Sequence, residues 1–251
     1  MRKKSIIVLV VLVLALAFTA CRAQTPTASQ TPATSSSPTS GPSSTISSSL
    51  TATPSPTGEV EATEFMGKQL TAMDRQLNNA VQGTQHIDRA TYKLTVDGLV
   101  DHPLSLSYDD LLAYPQISKL MDLNCVEGWN FTAKWTGPAL TAIFKDAQVK
   151  PEAVIAIFYT VDVPEGYSSL DLSFINDKNI IIALKDNDIT LPAERGFPFQ
   201  VVAESKYGYK WSKWIDRIEL SSNTNFRGFW ESHGYNNNAD VGGPAHSDST
   251  S

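Results

Sequence analysis

"NCVEGWNFTAKWTGPAL", residues Asn124 to Leu140, decides how the rest of the chain is read, because it carries Cys125, one of only two cysteines, in the middle of foldable sequence. The stretch just before it, "ISKLMDLN", reads as a strand that delivers Cys125 at its end, where a connecting loop begins. Strand ends and their loops are where chemistry is usually placed. A free cysteine is also among the most buried residue types and packs as a small hydrophobe. Cys125 is therefore either core or ligand, and the segments around it decide.

The other cysteine has a different use. The chain opens "MRKK" and continues "SIIVLVVLVLALAFTAC", a basic start and an apolar run closing on small residues, the pattern of a secretory signal. Phe18-Thr19-Ala20-Cys21 resembles the lipoprotein box, which implies lipidation of Cys21 and makes residues 1–21 a lipoprotein signal peptide. An uncleaved anchor helix is the other reading, since the run approaches the ~18 residues that span a bilayer. Both readings place the remainder outside the cytoplasm, lipid-anchored or helix-anchored to the membrane. Residues 22–59 are almost wholly Ser, Thr, Pro, Ala and Gln, too poor in apolar surface to order themselves, and read as an extended linker. Residues 242–251, "GGPAHSDSTS", read as a disordered tail. Between them, residues 60–241 form one domain of about 180 residues, enough for a sizeable core.

The net charge of −6 argues against nucleic acid as a partner, because phosphates call for a basic face. A serine hydrolase would need a G-x-S-x-G elbow, which is absent from the sequence. His86, His102, His233 and His246 are scattered and do not form a zinc motif, and none has a local signature pairing it with Cys125 as a cysteine hydrolase.

Along the domain, Tyr92, Leu94 and Val96 alternate, Asp101-His102-Pro103 turns, and Leu104 and Leu106 alternate again, which predicts two strands with a tight connection. Ser107 with Asp110 predicts a capping box, and Pro115 a stop about two turns later. "TGPALTAIFKDAQV" predicts a helix with Pro138 in its first turn and Leu140, Ile143, Phe144 and Ala147 on one face. "AVIAIFYTV", "IIIALK", "FQVVAES" and "KWIDRIELS" predict further strands, with a turn at "DND". Strands dominate, helices are few and βαβ alternation is lacking, so the expected class is α+β, mainly β.

Two segments carry candidate binding groups. "SKYGYKWSKW", Ser205 to Trp214, sets Lys206, Lys210 and Lys213 around Gly208 among aromatic residues, where close backbone approach and point charges suit a phosphate. An amphipathic hairpin with solvated lysines would read the same way. Asn78 and Asn79 offer paired amides suited to the edge of a polar heterocycle.

Taken together, "NCVEGWNFTAKWTGPAL", "FPFQVVAESKYGYKWSKWIDRIEL" and "TVDGLVDHPLSLSYDDLLAYP" resemble the sulfite oxidase family of molybdopterin-dependent oxidoreductases. The "CVEGW" form is similar to the branch that holds the catalytic subunit of the periplasmic methionine sulfoxide reductase. The resemblance runs from about Asn78 to Asn238 in the family's order, and implies a sulfite-oxidase-like molybdopterin-binding domain with the molybdenum cofactor. Under it, Cys125 is the metal ligand, which explains the lone thiol. Asn79, Thr160, Lys206, Gly208 and Lys210 fall at cofactor-binding positions. Glu127 is placed on the substrate side of the metal, and Tyr235 matches a C-terminal aromatic segment near the site.

Gln200 stands where members commonly carry Arg, with Arg195 as the candidate substitute for the missing cation. The arginine that follows the ligand in true sulfite oxidases is absent, which argues against sulfite, and the lack of a dimerisation domain implies a monomer. Arg2-Lys3-Lys4 stands in place of the twin arginine of folded export: either the exporter accepts the variant or the domain crosses without cofactor. The resemblance implies two-electron oxygen-atom transfer on a sulfoxide or similar small oxo substrate, free or on a protein. Electrons would come from a separate haem- or quinone-linked partner, since haem, flavin and iron–sulfur motifs are missing from this sequence. The alternative is a surface binding module that kept the fold and lost the cofactor.

Overall fold

The computed structural model describes residues 58–247. The signal segment, Cys21, nearly all of the linker and residues 248–251 lie outside the described residues. In chain order the elements are β1 (Glu64–Phe65), β2 (Lys68–Gln69), β3 (Leu94–Gly98), β4 (Leu104–Leu106), α1 (Tyr108–Ala113), β5 (Gln116–Asn124) and β6 (Asn130–Pro138). They continue with α2 (Leu140–Ala147), β7 (Ile155–Thr160), β8 (Val163–Asp171), α3 (Leu172–Lys178), β9 (Ile181–Ala183), β10 (Lys185–Asp186) and β11 (Ile189–Thr190), and close with β12 (Gln200–Val202), β13 (Ile215–Ser221) and α4 (Phe229–Ser232). The class is α+β, mainly β, as the strand pattern predicts.

Two sheets organise the domain, one in the order β4-β3-β13-β7-β8 and one in the order β11-β10-β6-β5. The predicted hairpin forms with Leu94 opposite Leu106 and Val96 opposite Leu104. Ser107 and Asp110 then cap α1 reciprocally, as their spacing predicts. β3 and β13 pair in parallel across more than a hundred residues, so the two ends of the domain are zipped into one sheet. That pairing needs a glycine: a Cβ on Gly98 would lie 2.4 Å from the Leu220 carbonyl oxygen. Gly137 is needed for the same reason, its Cβ position being 1.9 Å from the carbonyl oxygen of Ile182, where β6 passes β9. The core fills the space between these layers with Trp135, Phe158, Phe199 and Trp211, each at most 2% exposed.

The structure departs from the sequence reading at four places. Pro138 ends β6, opposite Gln116, and α2 starts only at Leu140, so the proline sits at a strand terminus where its missing N–H costs little. β8 contains Pro164 and Gly166, both strand breakers by local propensity, yet it pairs with β7 from Ile155–Asp171 to Thr160–Val163; tertiary pairing overrides propensity here. Glu59, assigned to the linker, belongs to the fold: its carboxylate accepts from Lys185 Nζ at 2.8 Å and from the Thr190 N–H at 2.8 Å. Burial opposes that charge, but these bonds prevail and hold its pKa down at about 2. Gly242 to Ser247, assigned to a disordered tail, folds back instead: the Asn236 N–H donates to Ala245 O at 3.0 Å and the Ser247 N–H to Gly234 O at 2.9 Å. Backbone pairing, which a composition of small polar residues does not advertise, supplies the order. Among the described residues, no helix is long and apolar enough to cross a membrane.

Candidate functional site

β5 and β6 form a nine-pair hairpin whose last pair is Asn124–Asn130, so Cys125 begins the turn at its tip. The Cys125 N–H donates to Trp129 O at 2.9 Å and the Gly128 N–H to Cys125 O at 3.1 Å, which closes the turn tightly. Gly128 sits at φ +90°, a conformation that costs glycine little. The thiol is thus held on a rigid strand end, half-buried. It faces a cleft of about 730 Å³, open solvent at the mouth included. Leu77 to Val81 line one part of it, and Phe131, Tyr167, Tyr209, Trp230 and Tyr235 give it an aromatic surface. Gly208 lets the 3-10 turn Gly208–Lys210 lie against the end of β5: a Cβ there would meet Leu123 Cδ2 at 3.2 Å. Its small size therefore brings the basic aromatic segment up to the cysteine.

Two electrostatic features define the cleft. At the hairpin tip, Glu127 Oε2 accepts from Trp129 Nε1 at 2.9 Å and from Asn79 Nδ2 at 3.0 Å. These bonds, the Trp129 one foremost, hold the Glu127 carboxyl below its ordinary range. Cys125 Sγ is 3.9 Å from the same oxygen. Burial, seconded by the charge of Glu127, pushes the thiol pKa up despite opposing backbone hydrogen bonds. The second feature is cationic. Arg195, 7% exposed, directs its guanidinium at the carbonyls of Met73, Gln76 and Leu77. Lys213 Nζ donates to Asn78 Oδ1 at 2.5 Å and Asn79 O at 2.6 Å, behind the same wall. Burial first, then the charge of Arg195, lower the Lys213 pKa to about 7.

Of the residues the sequence points to, Asn79, Cys125, Glu127, Gly208 and Tyr235 meet in this cleft. Four others, Thr160, Lys206, Lys210 and Lys213, lie away from its lining. Thr160 is fully buried and donates to Asp162 Oδ1 at 2.8 Å. Lys206 pairs with Asp240 at 2.6 Å, and Lys210 with Glu231 at 2.5 Å inside the protein, because anionic partners from the C-terminal segment reach both. Gln200 and its expected substitute Arg195 both line the cleft. Sequence reasoning did not single out Tyr167, Tyr209 or Trp230 as site residues. Their only signal is aromatic density beside Gly166, Gly208 and Gly228, and it becomes a site only once β8, the 3-10 turn and α4 are brought together.

The residues fit a pterin-bound metal. Among the described residues, no three His, Cys, Asp or Glu side chains form a metal cage. A metal ligated by Cys125 therefore has to bring its other donors with it, as a dithiolene-bearing pterin does. Buried Arg195 and the partly buried Lys213 hydrogen-bond to backbone carbonyls and an amide, not to carboxylates, and burial lowers the pKa of both, the charge of Arg195 adding to the effect on Lys213; a nearby anionic phosphate would favour both charged forms.

Comparison with known proteins agrees with this geometry. Residues 81–230 match the family described as the oxidoreductase molybdopterin binding domain, more than half of the chain, and the protein belongs to that family. Within it, the chain is 34% identical over 155 residues to an uncharacterized oxidoreductase, YuiH, of Bacillus subtilis, covering 61% of this chain and 76% of that one. It is 32% identical over 152 residues to a putative protein-methionine-sulfoxide reductase subunit, YedZ1, of Azospira oryzae, covering 61% and 57%. It is 30% identical over 145 residues to the protein-methionine-sulfoxide reductase catalytic subunit MsrP of Gluconobacter oxydans, covering 51% and 46%. The match thus spans about half the length of the latter two. The sulfane dehydrogenase SoxCD of Paracoccus pantotrophus shares the fold, with a TM-score of 0.53 at 23% identity over 56% of this chain and 41% of that one. The chain carries a molybdopterin-binding oxidoreductase domain.

Proposed function

We propose that the protein is a molybdenum-cofactor enzyme acting outside the cytoplasm, anchored through a lipid on Cys21, which exchanges an oxygen atom with a neutral sulfoxide or a similar small oxo compound. The observation that carries this reading is the fixed thiol of Cys125 facing an aromatic cleft that holds both an anion-compatible corner and an uncommitted face. When bound, the cofactor supplies the two-electron oxygen-atom chemistry. Cys125, Asn79, Gly208 and Arg195 line the cleft and would hold it, with Lys213 bracing Asn78 and Asn79 from behind.

The chain's own contributions follow from placement. Cys125 Sγ gives up its proton to become a ligand, and the strand end beneath it fixes its direction. Glu127, tied by Asn79 and Trp129, is oriented before anything binds. Phe131, Tyr209 and Tyr235 give the cleft apolar walls. A neutral substrate is favoured by the fate of the cations. Lys206 and Lys210 are paired with carboxylates, the Arg195 and Lys213 heads sit on the chain's own carbonyls, and Glu127 faces the cleft as an anion. An oxyanion substrate would meet Glu127 first. The names of the relatives from Azospira and Gluconobacter point to the same substrate class. Electrons come from a separate haem- or quinone-linked partner.

The test is turnover. Protein purified from its native host, supplied with a reduced viologen dye, is expected to oxidise the dye when dimethyl sulfoxide or methionine sulfoxide is added and to leave sulfite untouched. Dye oxidation by none of the sulfoxides, with molybdenum present, would sink the substrate assignment.

A further inference from the structure

The cleft has more hydrogen-bond donors on its surface than it has free ones. Asn79 and Trp129 donate to Glu127, Asn78 to the Glu194 carbonyl, and Arg195 to three backbone carbonyls. Gln200 Nε2 points at Trp211 O at 3.4 Å, and the Tyr209 hydroxyl donates to Asn236 O at 2.8 Å. Of the side-chain hydroxyls that line the cleft, those of Tyr167 and Tyr235 have no acceptor among the described residues. Tyr235 is already part of the site. Tyr167 is not.

Tyr167 is built in more firmly than a lining residue needs to be. Its Oη accepts from Trp230 Nε1 at 3.2 Å, which fixes the oxygen and turns the O–H away from Trp230. The backbone on both sides is clamped. A Cβ on Gly166 would press on Phe226 Cζ at 2.7 Å, and a Cβ on Gly228 would strike the Tyr167 carbonyl oxygen at 2.2 Å, so glycines are what allow the chain to close around this residue. The next residue, Ser168, donates to Glu231 Oε1 at 2.8 Å on α4. Burial above all, with Asp162, Glu231 and Cys125 adding to it, drives the phenol pKa far above neutrality, so the group is a permanent donor and never a base at working pH. Cys125 and Tyr167 line the same cleft.

From this geometry we propose that Tyr167 is a further catalytic residue, whose hydroxyl donates a hydrogen bond to the oxygen atom of a neutral oxo substrate held in the cleft. The proposal rests on the functional reading above and deepens it. It explains why a cleft with so few uncommitted side-chain donors suits a substrate with one strongly accepting oxygen, as a sulfoxide has, rather than one that needs several cations. A donor held by the fold before substrate arrives costs no reorganisation when charge builds on that oxygen.

The experiment compares wild type with Tyr167→Phe, both prepared from the native host and both assayed for molybdenum per chain. The change removes one oxygen atom and is expected to lower kcat/KM for dimethyl sulfoxide by about 10²-fold, with molybdenum content unchanged. Isotope-edited infrared spectra of bound dimethyl sulfoxide provide a second readout, its S=O stretch moving to higher wavenumber in the variant. Trp230→Phe, which frees the Tyr167 oxygen without removing it, is expected to give a smaller loss. Wild-type kcat/KM or an unmoved S=O band in Tyr167→Phe overturns the proposal, as does loss of molybdenum from that variant, which would make Tyr167 a cofactor contact. A molybdenum-loaded wild type inert toward every neutral sulfoxide would instead overturn the functional reading, and this inference with it.

Discussion

Replacing Cys125 with alanine is expected to reduce dye-coupled sulfoxide turnover to the blank while leaving the domain folded. Two roles were open to this thiol from the sequence, and they make opposite forecasts. As a packed core residue, its truncation would cost on the order of 1 kcal/mol and spare any activity. As the sole protein donor to a metal, its loss would abolish the chemistry at little cost in stability. The structure favours the second, because the side chain is half-buried at a hairpin tip and faces a cleft, not hydrocarbon. Thermal unfolding and turnover measured on the same preparation separate the two. Full activity in Cys125→Ala would end the ligand assignment.

The largest loss of stability is expected at Lys210. Its ammonium, 1% exposed, meets the fully buried Glu231 carboxylate at 2.5 Å and also donates to Ser169 O and Asn237 Oδ1, each at 3.1 Å. Burial lowers the Lys210 pKa, and Glu231 pulls it back. The pair joins the 3-10 turn beside β5 to α4 and β8, the elements that carry Tyr209, Trp230 and Tyr167 into the cleft. Lys210→Met leaves Glu231 charged and buried without its partner, a situation that typically costs about 3–5 kcal/mol. Lys210→Met combined with Glu231→Leu removes both charges and is expected to recover a good part of that loss. Denaturant titration of the three variants against wild type makes the comparison. Equal stability of the single variant and wild type would show that the pair is not ionised together in the folded protein.

The sulfite-oxidase-like fold and the heart of the site were legible in the chain because their determinants are local. β6, which makes the loop at Cys125 a hairpin tip, is not predicted, but the run up to Asn124 reads locally as a strand that delivers Cys125 to a connecting loop. The capping box at Ser107 and the buried run of β7 are of the same kind. What stayed hidden depends on partners far away in sequence. β8 carries no strand signal of its own, with Pro164 and Gly166 inside it, and forms by pairing with β7. The sequence reads Lys206 and Lys210 as phosphate ligands, and spacing gives no hint of Asp240 and Glu231, 34 and 21 residues on, which pair with them in the structure. Tyr167 and Trp230 are ordinary aromatics until two glycines let their segments close. Gln200, noted for the missing cation, does line the cleft, and Arg195 supplies a charge beside it from another direction.

The central claim is that a molybdenum-bearing pterin occupies the cleft at Cys125. Elemental analysis of the folded protein from its native host, set beside the reactivity of Cys125 toward a thiol reagent, tests it most directly. The account predicts about one molybdenum atom per chain, with Cys125 shielded from the reagent until the metal is removed. Folded protein free of molybdenum, with a freely titrating thiol, would contradict it.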